Sequence, residues 1–308
     1  MTDGMALTSG GKTFRLALNE KLNSQDELKA KLELNETPEK KEAGLRTLKD
    51  MLEGVPNLNP CTDDDYLLLF LRARKFDCDS AFNLLQNFYT IRSKYPDLLQ
   101  PISKIEPLLR KGAYCVLPYR DEEGRAINVT SISAWDPDVY SFWDVLAALL
   151  IAAASTVYDP VTQINGFIFI CDVQGFSKKH FLEMSSLKKL SVFSSIMNDY
   201  NPIRLKKILV VNTPQLVESF CMLMKPLLSQ KLGDRVQLIG SDMNELHQFL
   251  DPAILPQEYG GKLPSLDFHK FSRIVHDREE YINYIRQFDF TKTEKTEKYT
   301  KMDEADIW

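Results

Sequence analysis

Histidine is scarce in this chain, and its distribution excludes a good deal. His180, His247, His269 and His276 are the only four, and no two stand four residues apart, so no helix turn can offer a histidine pair to a metal. Five cysteines, Cys61, Cys78, Cys115, Cys171 and Cys221, are an odd number with no pair at metal-ligand spacing. They fall largely in predicted strands and helices and read as reduced thiols of a cytosolic protein. No G-x-S-x-G elbow is present, since Gly175-Phe176-Ser177-Lys178 breaks that pattern. Ser9-Gly10-Gly11-Lys12 lies in a polar segment with no strand before it and fails as a phosphate loop. Asp172 closes a predicted strand, where α/β enzymes often place an acid, but without a sequence partner it reads as a capping or hydrogen-bonding group. With no nucleophile, base or metal set to assemble, the expectation is a protein that is not an enzyme and needs neither cofactor nor metal.

Long apolar runs are lacking too. The longest, Val145 to Val157, is shorter than the roughly 20 residues of a membrane span. The polar stretch Met1 to Lys12 has no signal-peptide core. The net charge of -5 argues against general polyanion binding, so nucleic acid is not an expected partner and any basic patch must be local.

Composition and punctuation divide the chain. Residues 1–12 read as disordered, Phe14 to Leu34 as a charged helix, and Glu39 to Leu52 as another that starts at Thr37-Pro38 and stops at Gly54. Thr62 to Arg74, with Thr62 as cap, and Ser80 to Lys94 complete a helical module ending near Pro96. From Tyr114 the pattern alternates. Predicted strands are Tyr114 to Tyr119, Ala126 to Thr130, Phe167 to Cys171, Ile208 to Val211 and Val236 to Ile239. Helices Ser141 to Tyr158, Lys178 to Asn198 and Thr213 to Leu232 separate the later ones. Unbroken apolar strands such as Phe167-Ile168-Phe169-Ile170 imply burial on both faces, hence an α/β layer on a mainly parallel sheet. A last helix is expected near Asp277 to Phe288, and Thr291 to Lys301 reads as a disordered low-complexity run.

Two helices carry more apolar surface than a core needs. Ser141 to Tyr158 is apolar all round, and its alanines allow either close packing on the sheet or room for an apolar guest. In Thr213 to Leu232, apolar residues cover well over half the circumference, where one stripe of roughly 100° would suffice. Lys225, Lys231 and Arg235 lie in or beside it, and Arg204, Lys206 and Lys207 precede the strand that leads into it. Apolar surface rimmed by cations suits an anionic membrane, although a buried helix with solvated flanks gives the same pattern.

The motif Phe70-Leu71-Arg72-Ala73-Arg74-Lys75-Phe76-Asp77 resembles the CRAL-TRIO lipid-binding family, most of all its tocopherol- and retinaldehyde-carrying members. The likeness continues through Gln163-Ile164-Asn165-Gly166, Asp172-Val173-Gln174-Gly175-Phe176, Met224-Lys225-Pro226-Leu227-Leu228 and Ile254-Leu255-Pro256-Gln257-Glu258-Tyr259-Gly260-Gly261, covering about residues 40–270. It implies an N-terminal extension (1–36), a helical domain (37–96), a lipid-binding domain (97–264) with a sheet floor, an apolar pocket and a helical lid, and a C-terminal helix and tail (265–308). In tocopherol carriers a basic cleft binds phosphatidylinositol bisphosphate. Its positions fall on Arg204, Lys206, Lys231 and Arg235, with Arg74 nearby and Lys225 added from the lid. One position changes lysine to arginine and another arginine to lysine, which keeps charge but not bidentate geometry.

The expected pocket lining is Leu146, Leu149, Ala153, Phe167, Phe169, Phe193, Ile196, Met197, Ile203, Phe220 and Met224. Two serines that help water-bridge the tocopherol hydroxyl fall on Leu149 and Ala153. Burying an unpaired hydroxyl costs a few kcal/mol, so tocopherol itself does not carry over, and a retinoid, carotenoid or other lipid fits equally. The resemblance therefore implies a cytoplasmic carrier of one small lipophilic ligand, exchanging it at phosphoinositide-bearing endosomal or plasma membranes by peripheral contact. A phosphoinositide-binding trafficking adaptor with little carrier activity is the alternative; protein partners are unknown.

Overall fold

The computed structural model describes residues 6–18 and 20–291. Strands β1 (Leu7–Ser9) and β2 (Lys12–Phe14) form an antiparallel hairpin. Gly10 and Gly11 both have positive φ, 57° and 78°, the backbone that a two-residue primed turn requires and glycine adopts freely. This overturns the disorder expected for residues 6–12, while residues 1–5 lie outside the described residues. The polar composition concealed a short strand pair anchored by buried Phe14. The helix expected from Phe14 starts only at α1 (Ser24–Leu34), where Asn23 and Asp26 form a reciprocal capping box.

Thr37 caps α2 (Pro38–Glu53). After β3 (Leu58–Asn59), α3 (Asp64–Ala73) begins at Asp63 rather than Thr62, with no side-chain cap. Helix α4 (Cys78–Lys94) closes this module around Leu48, Tyr66, Phe70, Leu85 and Tyr89. Helix α5 (Ile102–Arg110) is absent from the expected elements and contains Pro107, a residue that disfavours a helix interior. It is held by burial of Ile102, Ile105, Leu108 and Leu109 along one face.

The remaining elements build the central sheet and its coverings. Strands β4 (Tyr114–Val116) and β5 (Ala126–Ser131) are followed by helices α6 (Phe142–Val157) and α7 (Pro160–Asn165). Then come β6 (Phe167–Asp172), α8 (Lys178–Met184), α9 (Leu187–Ser195) and a π-helical turn Ile196–Tyr200. Strand β7 (Leu205–Val211) leads to α10 (Gln215–Met224), a tight turn Lys225–Leu227, α11 (Gln230–Gly233) and β8 (Val236–Leu238). The sheet order is β4-β5-β6-β7-β8, with only β4 antiparallel to its neighbour. Helices α12 (Met243–His247), α13 (Phe268–His276) and α14 (Glu279–Arg286) follow, and β9 (Asp289–Phe290) returns to pair with β3. Except for Thr291, the low-complexity run 291–301 lies outside the described residues.

Two expected helices are broken. Ser185-Ser186 splits Lys178 to Asn198, the Ser186 hydroxyl accepting Lys189 N–H to start α9, as serine side chains compete with helix continuation. Pro226, which lacks an N–H, and Ser229, which caps α11, split Thr213 to Leu232. The expected C-terminal helix is present as α14 (Glu279–Arg286), and α13 (Phe268–His276) before it was not expected.

One face of the sheet is closed. Ile127, Val129, Ile168, Ile170, Leu209 and Val211 pack against Leu246, Leu250, Ile254, Leu255 and Tyr259. A fully buried arginine ties the N-terminal segment to this domain. Arg120 donates to the Leu16 and Ala17 carbonyls at 3.0 and 2.6 Å, and to Asp159 and Thr162 at 2.7 and 2.9 Å.

Candidate functional site: an apolar cavity with a basic mouth

Strand alternation puts Thr130, Phe169, Cys171, Ile208 and Val210 on the other face, where they floor a cavity of about 1760 Å³. Helix α6 forms one wall with Leu146, Leu149, Leu150 and Ala153. On its other side Ala147, Ala148 and Ala152 are fully buried against α5 and α13. Both sequence readings of this alanine-rich helix thus hold, on opposite sides of it. Phe193, Ile196 and Met197, with Ile203, supply a second wall, and α10 roofs the space with Val217, Phe220, Cys221 and Met224.

Of the eleven residues expected to line a pocket, ten do so and Phe167 does not. Phe167 shares the face of Phe169 two residues on, but it lies at the strand's start, buried and stacked on the Phe169 ring at 6.2 Å. Trp135, Val173, Phe176 and Leu228 also line it. They lie outside the observed helices and strands, and of the four only Leu228 fell within an expected helix. Burial pushes the Cys171 thiol up to about 11, so the floor offers a neutral group rather than a thiolate nucleophile.

The roof has a polar latch. Ser194 Oγ and Asn198 Nδ2 donate to the Leu227 carbonyl at 2.5 and 3.1 Å, and Asn198 Oδ1 accepts the Ser229 N–H at 2.9 Å. The π-helical turn carries Asn198, a local widening that often marks functional segments. Along α10, Phe220 meets Phe176 and Phe181 at 6.0 and 6.2 Å, while Met222 and Leu223 face outward, Met222 being 74% exposed. Leu182 and Leu187, from α8 and α9, are exposed as well.

The same cavity opens through a mouth that contains all six expected cationic residues, Arg74, Arg204, Lys206, Lys225, Lys231 and Arg235. Gly166 makes one of these placements possible. At φ 92° its absent Cβ would lie 2.4 Å from the Arg204 carbonyl, so only glycine lets α7 run this close to the chain that delivers Arg204 to the mouth. Arg204 in turn donates to the Ile164 carbonyl. Partial burial, then repulsion by Arg235, Arg74, Lys75 and Arg204, lowers the Lys231 pKa. Burial and then Arg204 lower Arg235 as well. A crowd of cations that weaken one another is relieved by an anion.

Sequence reasoning missed Lys75 and Glu33 at the mouth, and it also missed Asp234, beside Arg235, and Glu218, which line the same cavity. Lys75 is adjacent to Arg74, but it reaches the mouth because it adopts a left-handed backbone (φ 55°) after α3, which nothing in its side chain announces. Glu33 pairs with Arg204 at 2.8 Å and lies 3.8 Å from Lys206.

His180 and Asp172 have structural partners. Ser177 N–H donates to His180 Nδ1, which leaves Nε2 to donate to the Trp135 carbonyl. Asp172 accepts from Asn212 Nδ2, Gln174 N and the Tyr259 hydroxyl. Among the described residues no cluster of three His, Cys, Asp or Glu could hold a metal, and no helix is long and apolar enough to cross a membrane.

An α/β sheet floor, a helical roof over an apolar cavity and a preceding helical module define the class of lipid-binding folds that the sequence resembles. Comparison with known proteins agrees. Residues 110–261 match the CRAL/TRIO domain and residues 37–101 the Pinta-like UBA domain. Human alpha-tocopherol transfer protein-like is 33% identical over 266 residues, 84% of this chain and 76% of that protein. Rat clavesin-1 is 34% identical over 279 residues, 89% and 77% of the two chains. The crystal structure of Sfh5 shares the fold at TM-score 0.52 and 13% identity, covering 85% of this chain and 99% of that one. The chain belongs to the CRAL-TRIO family of lipid-binding proteins.

Proposed function

We propose that the protein is a non-catalytic carrier that holds one small lipophilic molecule in the cavity and exchanges it at phosphoinositide-bearing membranes. The observation that carries this reading is the continuity of the cavity, whose lining runs from aromatic and aliphatic walls to a mouth of cations that includes all six expected ones and Lys75. Ligand affinity would come from apolar burial, at about 25 cal/mol per Å² before ordering costs. A phosphoinositide headgroup at the mouth biases the roof towards opening only if it binds the open state more tightly. The outward Met222 and Leu187 (74% and 84% exposed) give the roof side an apolar surface that a bilayer can receive. With Leu149 and Ala153 on the α6 wall, that wall offers no side-chain hydroxyl, which favours a retinoid, carotenoid or other lipid over a tocopherol headgroup. An adaptor would draw on the N-terminal helices and the charged tail, and of these α1 is packed at the mouth through Glu33.

Mass spectrometry of the organic extract tests the carrier. One lipophile near stoichiometric in the native protein and absent from a Phe220→Asp, Met224→Asp variant is expected. An empty native protein that still binds phosphoinositide vesicles would favour the adaptor. Lys231→Ala with Arg235→Ala should slow transfer to phosphoinositide vesicles about tenfold, a change of roughly 1.4 kcal/mol, without changing ligand affinity; unchanged transfer removes the coupling.

A further inference from the structure

The cations of the mouth are not electrically alike. Arg204 and Lys206 already face a carboxylate from the chain itself, Glu33 in the last turn of α1, at 2.8 and 3.8 Å. The pairing has a cause in the surrounding packing. Helix α1 is fixed at its start by Asp26, which accepts from Asn165 and Arg15 at 2.8 Å each, and just beyond its end by Glu36, which grips Arg72 through two bonds of 2.9 and 2.6 Å. Ala30 and Leu34 pack on Ile164 between these anchors. The backbone that carries Glu33 is therefore held against the mouth, while its side chain, 42% exposed, can rotate into solvent. Lys231 and Arg235, by contrast, have no ion-pair carboxylate among the described residues, and the Lys231 ammonium is crowded by other cations.

We infer that Glu33 is an internal competitor for the anion and makes the mouth discriminate by number of phosphates. This rests on the phosphoinositide reading above and assigns the device that would set its selectivity. A first phosphate at Lys231 and Arg235 displaces nothing. A second phosphate reaching Arg204 and Lys206 must turn the Glu33 carboxylate out, which a dianionic monoester does more readily than a singly charged group, because its attraction to the same cations is greater. A headgroup with two phosphomonoesters is thus the ligand class that uses the whole mouth, and a monoanionic headgroup uses only part of it.

The test compares the full-length protein with Glu33→Gln and, as a charge-matched control, Glu27→Gln on an exposed position of the same helix. Each is floated with phosphatidylcholine vesicles containing either phosphatidylserine or phosphatidylinositol bisphosphate and titrated with soluble inositol trisphosphate. Glu33→Gln should bind bisphosphate vesicles at least threefold more tightly than the native protein, with a change below twofold for phosphatidylserine and for Glu27→Gln throughout. Native protein that binds bisphosphate vesicles, joined by Glu33→Gln that binds no better than Glu27→Gln, overturns the competitor and leaves the mouth reading standing. Binding by Glu33→Gln alone supports the competitor in its strongest form. If no variant binds vesicles or soluble headgroup, the mouth reading falls and the competitor with it. A gain shared by vesicles and trisphosphate supports recognition of the headgroup itself. A gain on vesicles alone assigns the competition to a lipid surface, and a gain on trisphosphate alone to a free polyphosphate.

Discussion

On one face of the central sheet Ile127, Ile168, Ile170, Leu209 and Val211 are fully buried, each packed against side chains from the segment after β8. On the other face, Phe169 and Cys171 alternate with them along β6 but remain partly exposed to the cavity. The strands are the same and so is their period of two; what differs is the covering layer. The closed face is covered by turns and short helices that place leucines directly on it. The hollow face is spanned by α6 and α10, whose inward side chains meet the floor only across a gap. Sheet sequence therefore sets which residues face inward, and the connection opposite decides whether that interior is core or container.

The largest expected effect separates the two faces. Ile170→Ala should cost about 2–5 kcal/mol, as for aliphatic truncations in close-packed interiors. Phe169→Ala, although it removes a larger side chain, should cost less than Ile170→Ala in ligand-free protein, because the cavity beside it already lacks part of the packing that truncation would forfeit. Urea midpoints of both variants decide this, and equal or greater loss at Phe169 would mean the second face is as solid as the first. A smaller effect is expected at the latch over the hollow face. Asn198→Ala deletes both bonds that its side chain makes to the α10–α11 connection, worth about 1 kcal/mol. Ligand release should then be roughly fivefold faster, while the urea midpoint stays close to native.

The smallest effect lies outside both faces, at the N-terminal anchor. Burial alone would raise the Asp26 pKa, but hydrogen bonds from Asn165, Arg15 and the Asn23 backbone outweigh it and hold it below the ordinary carboxylate value. The contribution of Asp26 to stability is therefore full above the ordinary value, near pH 4, and is lost as pH falls through the depressed one. The stability difference between native protein and Asp26→Asn should be constant from neutrality to about pH 5 and shrink below pH 4; a difference independent of pH would show that its charge is not what stabilises the anchor.

Much of this architecture was legible in the chain. Continuous apolar runs marked β6 and β7, the excess apolar surface of residues 213–232 pointed to a segment with two apolar neighbours, and the all-round apolarity of α6 left both of its eventual roles open. The breaks were less legible, because Ser185-Ser186 and Pro226-containing turns sit inside segments whose apolar periodicity continues across them. The hairpin at Gly10-Gly11 was hidden by polarity, since a two-strand ribbon needs one buried anchor rather than a pattern. The charged part of the mouth was legible only by sign. The family resemblance picked Arg204 and Lys206 out of the cations before β7, but whether either was already paired depended on how α1 docks, through Asp26 and Glu36, on residues far along the chain.

Arg120 also has a consequence for the order in which the protein is made. The Leu16 and Ala17 carbonyls are bonded by a side chain 104 and 103 residues downstream. That guanidinium is itself oriented by Asp159 and Thr162, a further 39 and 42 residues along. At ribosomal rates of about 5–20 residues per second, the early segment waits on the order of 10–30 s for its partners to be synthesised. During that interval the hairpin and the strand-like segment after it have no domain to dock on. The first described part of the chain to leave the ribosome thus finds its place only once Thr162 has been made, and a fusion that slows its return would be felt as delayed maturation rather than as a weaker final structure.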